Sequence, residues 1–70
     1  MHYAISNMWY NMRSGIVYHK PTVDFASSKE EAEGKALNEL LKEYPPEQGW
    51  TGHSTNAIRV FTVNLNQNTT

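Results

Sequence analysis

Three histidines, a Ser–His neighbour pair and seven carboxylates are the groups in this chain able to do acid–base, nucleophilic or metal chemistry. Metal binding needs ligands that converge, and His2, His19 and His53 form no HxH, HxxxH or HExxH pattern. His19 and Asp24 are an odd number of residues apart on a strand, which sends them to opposite faces. Neither a metal nor any other cofactor is expected. Nucleophilic catalysis also lacks its parts. Cysteine is absent, and Gly52-His53-Ser54 is not the G-x-S-x-G turn that follows a strand. No two of the acids Asp24, Glu47 and the glutamates of residues 30–43 are spaced for paired acid–base work. The expectation is a protein that is not an enzyme.

Recognition chemistry is better represented. Gly49-Trp50-Thr51-Gly52-His53 places an indole and an imidazole between two glycines, with no helix after them to make a phosphate site. Trp50 either anchors a ligand or protein partner or folds back over the core, with His53 in the same segment as the second candidate. Tyr10 and Tyr18 lie on segments that read as strands, with Arg13 and Arg59 among the few cations outside the helix. Open sheets that bind single-stranded nucleic acid combine stacking aromatics with cations in this way. That partner is the alternative, since so few charges make a weak phosphate footprint and no RNP-type motif is present.

The 70 residues suffice for one domain, read as residues 1–65 with a polar tail at 66–70. A chain this short buries only about 60% of its unfolded surface. Without cysteine it has no disulfide to help, so a second copy of the chain is the natural source of extra stability. The net charge of -1 and pI of about 6.2 exclude a strongly basic nucleic-acid binder. Of thirteen charged residues, eight lie between Lys29 and Glu43. No apolar run approaches the roughly 18 residues that span a bilayer. The first residues lack the basic start and apolar stretch of a signal peptide, so a cytoplasmic, membrane-free protein is expected.

The positioning elements follow from pattern. Residues 2–10 and 16–26 read as two strands joined by a turn at 11–15, with Pro21 requiring an edge, a bulge or a brief break. Ser28 with Glu31 forms a capping box, competing with Ser27 and Glu30. Ala32, Ala36, Leu37, Leu40, Leu41 and Tyr44 then make one helical stripe, stopped by Pro45-Pro46. Gly34 inside this helix suggests close approach to the sheet or to a partner. Residues 45–56 read as a long loop and 57–65 as the last strand. The opening of the helix, SSKEEAEGKAL, resembles that of the antitoxin-type HicB domains. The likeness is confined to this capping chemistry and implies no family membership.

The expected fold is α+β, β-β-α-β, a three-stranded and mainly antiparallel sheet packed on one helix. With a five-residue turn, Tyr10 faces Ile16, Met8 faces Tyr18 and Asn7 faces His19. The helix side then holds Tyr3, Ile5, Asn7, Trp9, Val17, His19, Val23 and Phe25. A one-residue slip would exchange the faces. The expected core is Ile5, Trp9, Val17, Phe25, Leu37, Leu40, Leu41 and Phe61. Both faces carry apolar side chains, where a sheet solvated on one side would alternate more cleanly. The functional expectation is therefore a small binding module, self-associating as a homodimer or larger homo-oligomer through the open face of its sheet. A further protein or a small ligand is a second kind of partner.

Overall fold

The computed structural model describes residues 1–60. Strands β1 (His2–Asn11) and β2 (Ile16–Phe25) form a hairpin; helix α1 (Lys29–Glu43), a 3-10 turn (Pro46–Gln48) and strand β3 (Trp50–Val60) follow. The sheet order is β2-β1-β3, with both pairings antiparallel. This is the expected β-β-α-β architecture.

The hairpin turn is shorter than expected, and the reason is one side chain. Asn11 Oδ1 accepts hydrogen bonds from the backbone N–H groups of Arg13 and Ser14, both at 2.9 Å. Its carbonyl accepts from Gly15 N at 2.8 Å, and Gly15 takes the positive φ of 74° that closes the loop. Asn11 thus starts the turn while still paired with Ile16. The register moves by one residue: Tyr10 pairs with Val17, Trp9 with Tyr18, Met8 with His19 and Asn7 with Lys20. Every β2 side chain changes face relative to the five-residue turn. Val17, His19, Val23 and Phe25 leave the helix side; Tyr18, Lys20, Thr22 and Asp24 take their places. Pro21 sits in an unbroken strand, which β2 tolerates because it is an edge.

The last strand begins at Trp50, so residues 45–49 are the connection and residues 50–56 are sheet. Between the pairs Met8–Ser54 and Tyr10–Thr51, β3 holds one residue more than β1. Gly52, at a φ of 66°, sits in this bulge. Residues 61–70, which include Phe61, the expected end of the last strand and the expected tail, lie outside the described residues.

Helix α1 begins as its sequence demands. Ser28 Oγ accepts from Glu31 N at 3.1 Å, and the Glu31 carboxylate returns to the N–H and hydroxyl of Ser27. Tyr44 N bonds Leu40 O before the two prolines end the helix. The helix lies over β3 and β1 and reaches β2 by a side chain: Lys35 Nζ donates to Phe25 O at 3.0 Å and pairs with Asp24 at 3.3 Å. The buried apolar residues are Tyr3, Ile5, Trp9, Ala26, Ala32, Leu40 and Ala57. Ile5, Trp9 and Leu40 were expected there. Val17, Phe25 and Leu41 are instead exposed, and Leu37 is half-buried. Three alanines fill the contact because the helix sits close to the sheet where they lie.

Gly34 has no such packing role. A Cβ built on it meets nothing within 4 Å, so there is no close approach to the sheet at this position. Gly34→Ala should therefore raise stability by about 1 kcal/mol. For a domain this size that is a rise in Tm of roughly 4–8 °C, read by thermal denaturation. An unchanged or lower Tm would mean that the position is constrained.

Candidate functional site

Sequence-predicted site residues converge at one end of the sheet, around an aromatic cluster. Trp9 stacks on Tyr44 (4.5 Å between centroids, 27°) and on Tyr18 (5.7 Å, 13°). Trp50 presents an edge-to-face contact to both tyrosines, at 5.5 Å and 4.8 Å. Trp50 and Tyr18 are thus brought together, with Trp9 and Tyr44 as partners the sequence did not single out. His53 Nε2 lies 2.7 Å from the carbonyl oxygen of Tyr44 and ties the helix end to β3. Beside the cluster, Met12 N donates to Gly49 O at 2.8 Å, and the Arg13 side chain lies against Gly49. Met12 and Arg13 therefore fasten the loop after the helix to the hairpin tip, while Trp50 and His53 hold the helix end against β2 and β3.

The other candidates are dispersed. Tyr10 is on the opposite face from Tyr18, and Arg59 pairs with Tyr3 toward the far end of β3. Tyr10, Tyr18, Arg13 and Arg59 do not share a surface. His19, expected beside Asn7, instead places Nε2 2.8 Å from Ser6 Oγ on the face away from the helix. Asn7 is buried and donates its amide to Lys20 O and Thr22 Oγ1, each at 2.9 Å.

Both sheet edges are obstructed. On β2, Pro21 removes a donor in mid-strand. On β3, Ala57 N donates to Glu33 Oε2 at 2.9 Å, and Thr55 Oγ1 donates to Glu33 O at 2.9 Å. Lys29 holds the same carboxylate at 2.8 Å. The Lys29 ammonium first, and the Ala57 N–H second, keep the Glu33 carboxyl below its ordinary pKa. Nothing in the sequence distinguishes Glu33 from the other helix glutamates. Its strand contact is 24 residues distant, and no local pattern announces it.

The face away from the helix is different. Its β1 positions are His2, Ala4, Ser6, Met8 and Tyr10; β2 adds Val17, His19, Pro21, Val23 and Phe25; β3 adds Ser54, Asn56, Ile58 and Val60. None of these is Asp, Glu, Lys or Arg. Val23 is 70%, Ile58 66% and Phe25 62% exposed. Small Ala4 and Ser6 on the central strand leave a shallow hollow of about 490 Å³ between Pro21 and Val23 on one side and Asn56 and Ile58 on the other. The Ser6–His19 pair borders it, but no carboxylate on this face orients the imidazole, as a hydrolytic triad requires.

A second concavity of about 670 Å³ lies on the helix side, where α1 leaves β2 uncovered. Ile5, Asn7 and Thr22 line its base, and the Lys35–Asp24 pair and Tyr44 also border it. Its size suits a small molecule. Its lysines 20, 35 and 42 are balanced by Asp24, Glu39 and Glu43, so no ligand charge is selected. Among the described residues no group of three or more His, Cys, Asp or Glu is placed to hold a metal, and no helix is long and apolar enough to cross a membrane. No protein-family model, curated protein or solved structure matches the chain.

Three carboxylates are depressed in the folded protein: Asp24 by the Phe25 N–H and then Lys35, Glu31 by the Ser27 hydroxyl and then its N–H, and Glu33 as above. A depressed carboxylate stabilises the fold above its unfolded pKa and loses that contribution as pH falls through the folded value. The Tm should therefore fall on acidification from about pH 5 to about pH 2, and less steeply in Glu33→Gln. A pH-independent melt would contradict these contacts. In Glu33→Ala, amide exchange at Ala57 should accelerate relative to Ile5; equal protection in both proteins would show that the Glu33 contact is not made in solution.

Proposed function

We propose that this chain is a non-enzymatic binding module that pairs with a second copy of itself, sheet face to sheet face. The observation that carries this reading is an uncharged face from which Val23, Phe25 and Ile58 project. Interface centres are depleted in charge, and a patch without charge of either sign is compatible with its own copy. The obstructed edges favour stacking over strand addition. The core supports it as well, because three of its seven apolar members are alanines and leave little stabilisation without further burial.

The size is adequate. Strands of about nine residues at ~3.3 Å, three abreast at ~4.8 Å, give a flat footprint of about 430 Å² per copy. Two copies bury on the order of 1,000 Å² once side-chain relief is counted, at the small end of specific interfaces. Two such sheets stack about 10 Å apart. The resulting association is reversible and concentration-dependent. The cysteine-free composition suits the reducing cytoplasm as its setting. Single-stranded nucleic acid gains no support from the placement of Tyr10, Tyr18, Arg13 and Arg59.

Sedimentation equilibrium over a wide concentration range tests the proposal, with Val23→Lys and Ile58→Lys as probes. Both side chains point outward, so far-UV circular dichroism should be unchanged. Each lysine should weaken pairing by about a hundredfold or more, because the dimer would desolvate two unpaired ammonium groups. A wild-type chain monomeric at millimolar concentration, or lysine variants that pair as well as wild type, would overturn it.

A further inference from the structure

We infer that pairing through this face is gated by pH, with the His19 and His2 imidazoles as the sensors; the inference rests on the self-association just proposed. His19 lies mid-face, paired with Met8 and bonded to Ser6 at the border of the hollow. His2 lies at the apolar end, paired with Phe25 and Val60, its ring edge-on to Phe25 at 5.2 Å. Histidine is the side chain whose ordinary protonation range lies closest to neutral pH, so an interface that buries imidazoles is sensitive to pH there.

The surroundings decide what that charge does. Among the described residues the open-face positions of the three strands carry no carboxylate, so none of them supplies an anion to an imidazolium of either copy. Tyr10 is the other titratable side chain at these positions. The Met1 ammonium donates to Ala26 O at 3.0 Å. Lys20 and Asp24 on β2 and Arg59 on β3 lie on the helix side, as do all the charges of α1. His53 is also on that side, held to the Tyr44 carbonyl, and takes no part. Stacking two copies would bring four imidazoles into a layer that offers them no counter-charge. Burial penalises their charged form, and protons that must leave on pairing weaken it as pH falls.

The test measures the dimer dissociation constant of the full chain by sedimentation equilibrium at about pH 8 and about pH 5.5, either side of the ordinary histidine range. Circular dichroism at both values confirms that the fold is retained. Wild type should pair at least about tenfold more weakly at the acidic pH, since each proton excluded from the dimer changes the constant tenfold per pH unit below the histidine value. The double variant H2Q/H19Q should pair with little difference between the two. Wild type that pairs equally well at both values would overturn the gate while leaving self-association standing. A double variant that keeps the full pH dependence would do the same, by placing the sensor elsewhere. Wild type that stays monomeric at the alkaline pH would remove the self-association itself. A readout independent of the variants is the NMR titration of the two imidazoles in wild type, below and above the dissociation constant. Lower midpoints in the paired protein support the gate; identical midpoints overturn it.

Discussion

The grip of the Asn11 carboxamide on the two backbone N–H groups that follow it is the interaction on which the arrangement of this molecule depends. It closes the loop with one residue fewer than the expected five, and side-chain alternation carries that single residue through the whole of β2. With the longer loop, β2 would tuck Val17, Val23 and Phe25 under the helix and hold Lys20 and Asp24 in water. In the observed register the polar set faces the helix and the apolar set faces away. Asp24 is then in reach of Lys35, and Asn7 can satisfy its amide on Lys20 and Thr22. The polar contacts of the helix side and the apolar character of the other side have one cause.

The placement of α1 compounds this. The alanines at 26, 32 and 57 let the helix settle over β3 and β1, which leaves β2 without a helix above it. The same offset brings Glu33 to the outer edge of β3, where its carboxylate takes the Ala57 N–H that an incoming strand would use. One helix thereby supplies the core contact and closes an edge. Its C-terminal end is held by a third device, the four-ring cluster with the His53 bond to the Tyr44 carbonyl.

What could be read from the sequence was local. The Ser28–Glu31 cap, the double-proline stop and the apolar stripe each involve residues within a turn of one another, and the helix runs where they place it. The element order followed from the same kind of signal. The hairpin register was not legible because Asn11 acts at once as strand residue and turn former, and propensity alone does not choose between those roles. Residues 50–56 resembled a loop because a bulge and a loop make the same demand for glycine at positive φ. The core list overvalued bulk: Phe25 and Val17 have the volume of core residues, but alanines occupy the contact. Of the binding candidates, Trp50 and Tyr18 do meet. They meet within a cluster that also takes Trp9, 41 residues before Trp50, and Tyr44, 26 residues after Tyr18.

Edges and faces expose different hazards, and this chain treats them differently. An open edge offers unpaired backbone donors and acceptors to any strand, which invites unlimited growth. An open face offers only side chains, and two faces that close on each other leave nothing further to bind. Proline on one edge and a carboxylate hook on the other suppress the first kind of association, while the uncharged face is left without comparable protection. The distribution of charge agrees with that division. Eight of thirteen charged residues lie between Lys29 and Glu43, on the far side of the sheet from Val23 and Ile58. If two copies stack through their sheets, those charges remain in water on both outer surfaces and keep the closed pair soluble. The scarcity of charge on one side and its concentration on the other are thus what the proposed stacking of two copies would require.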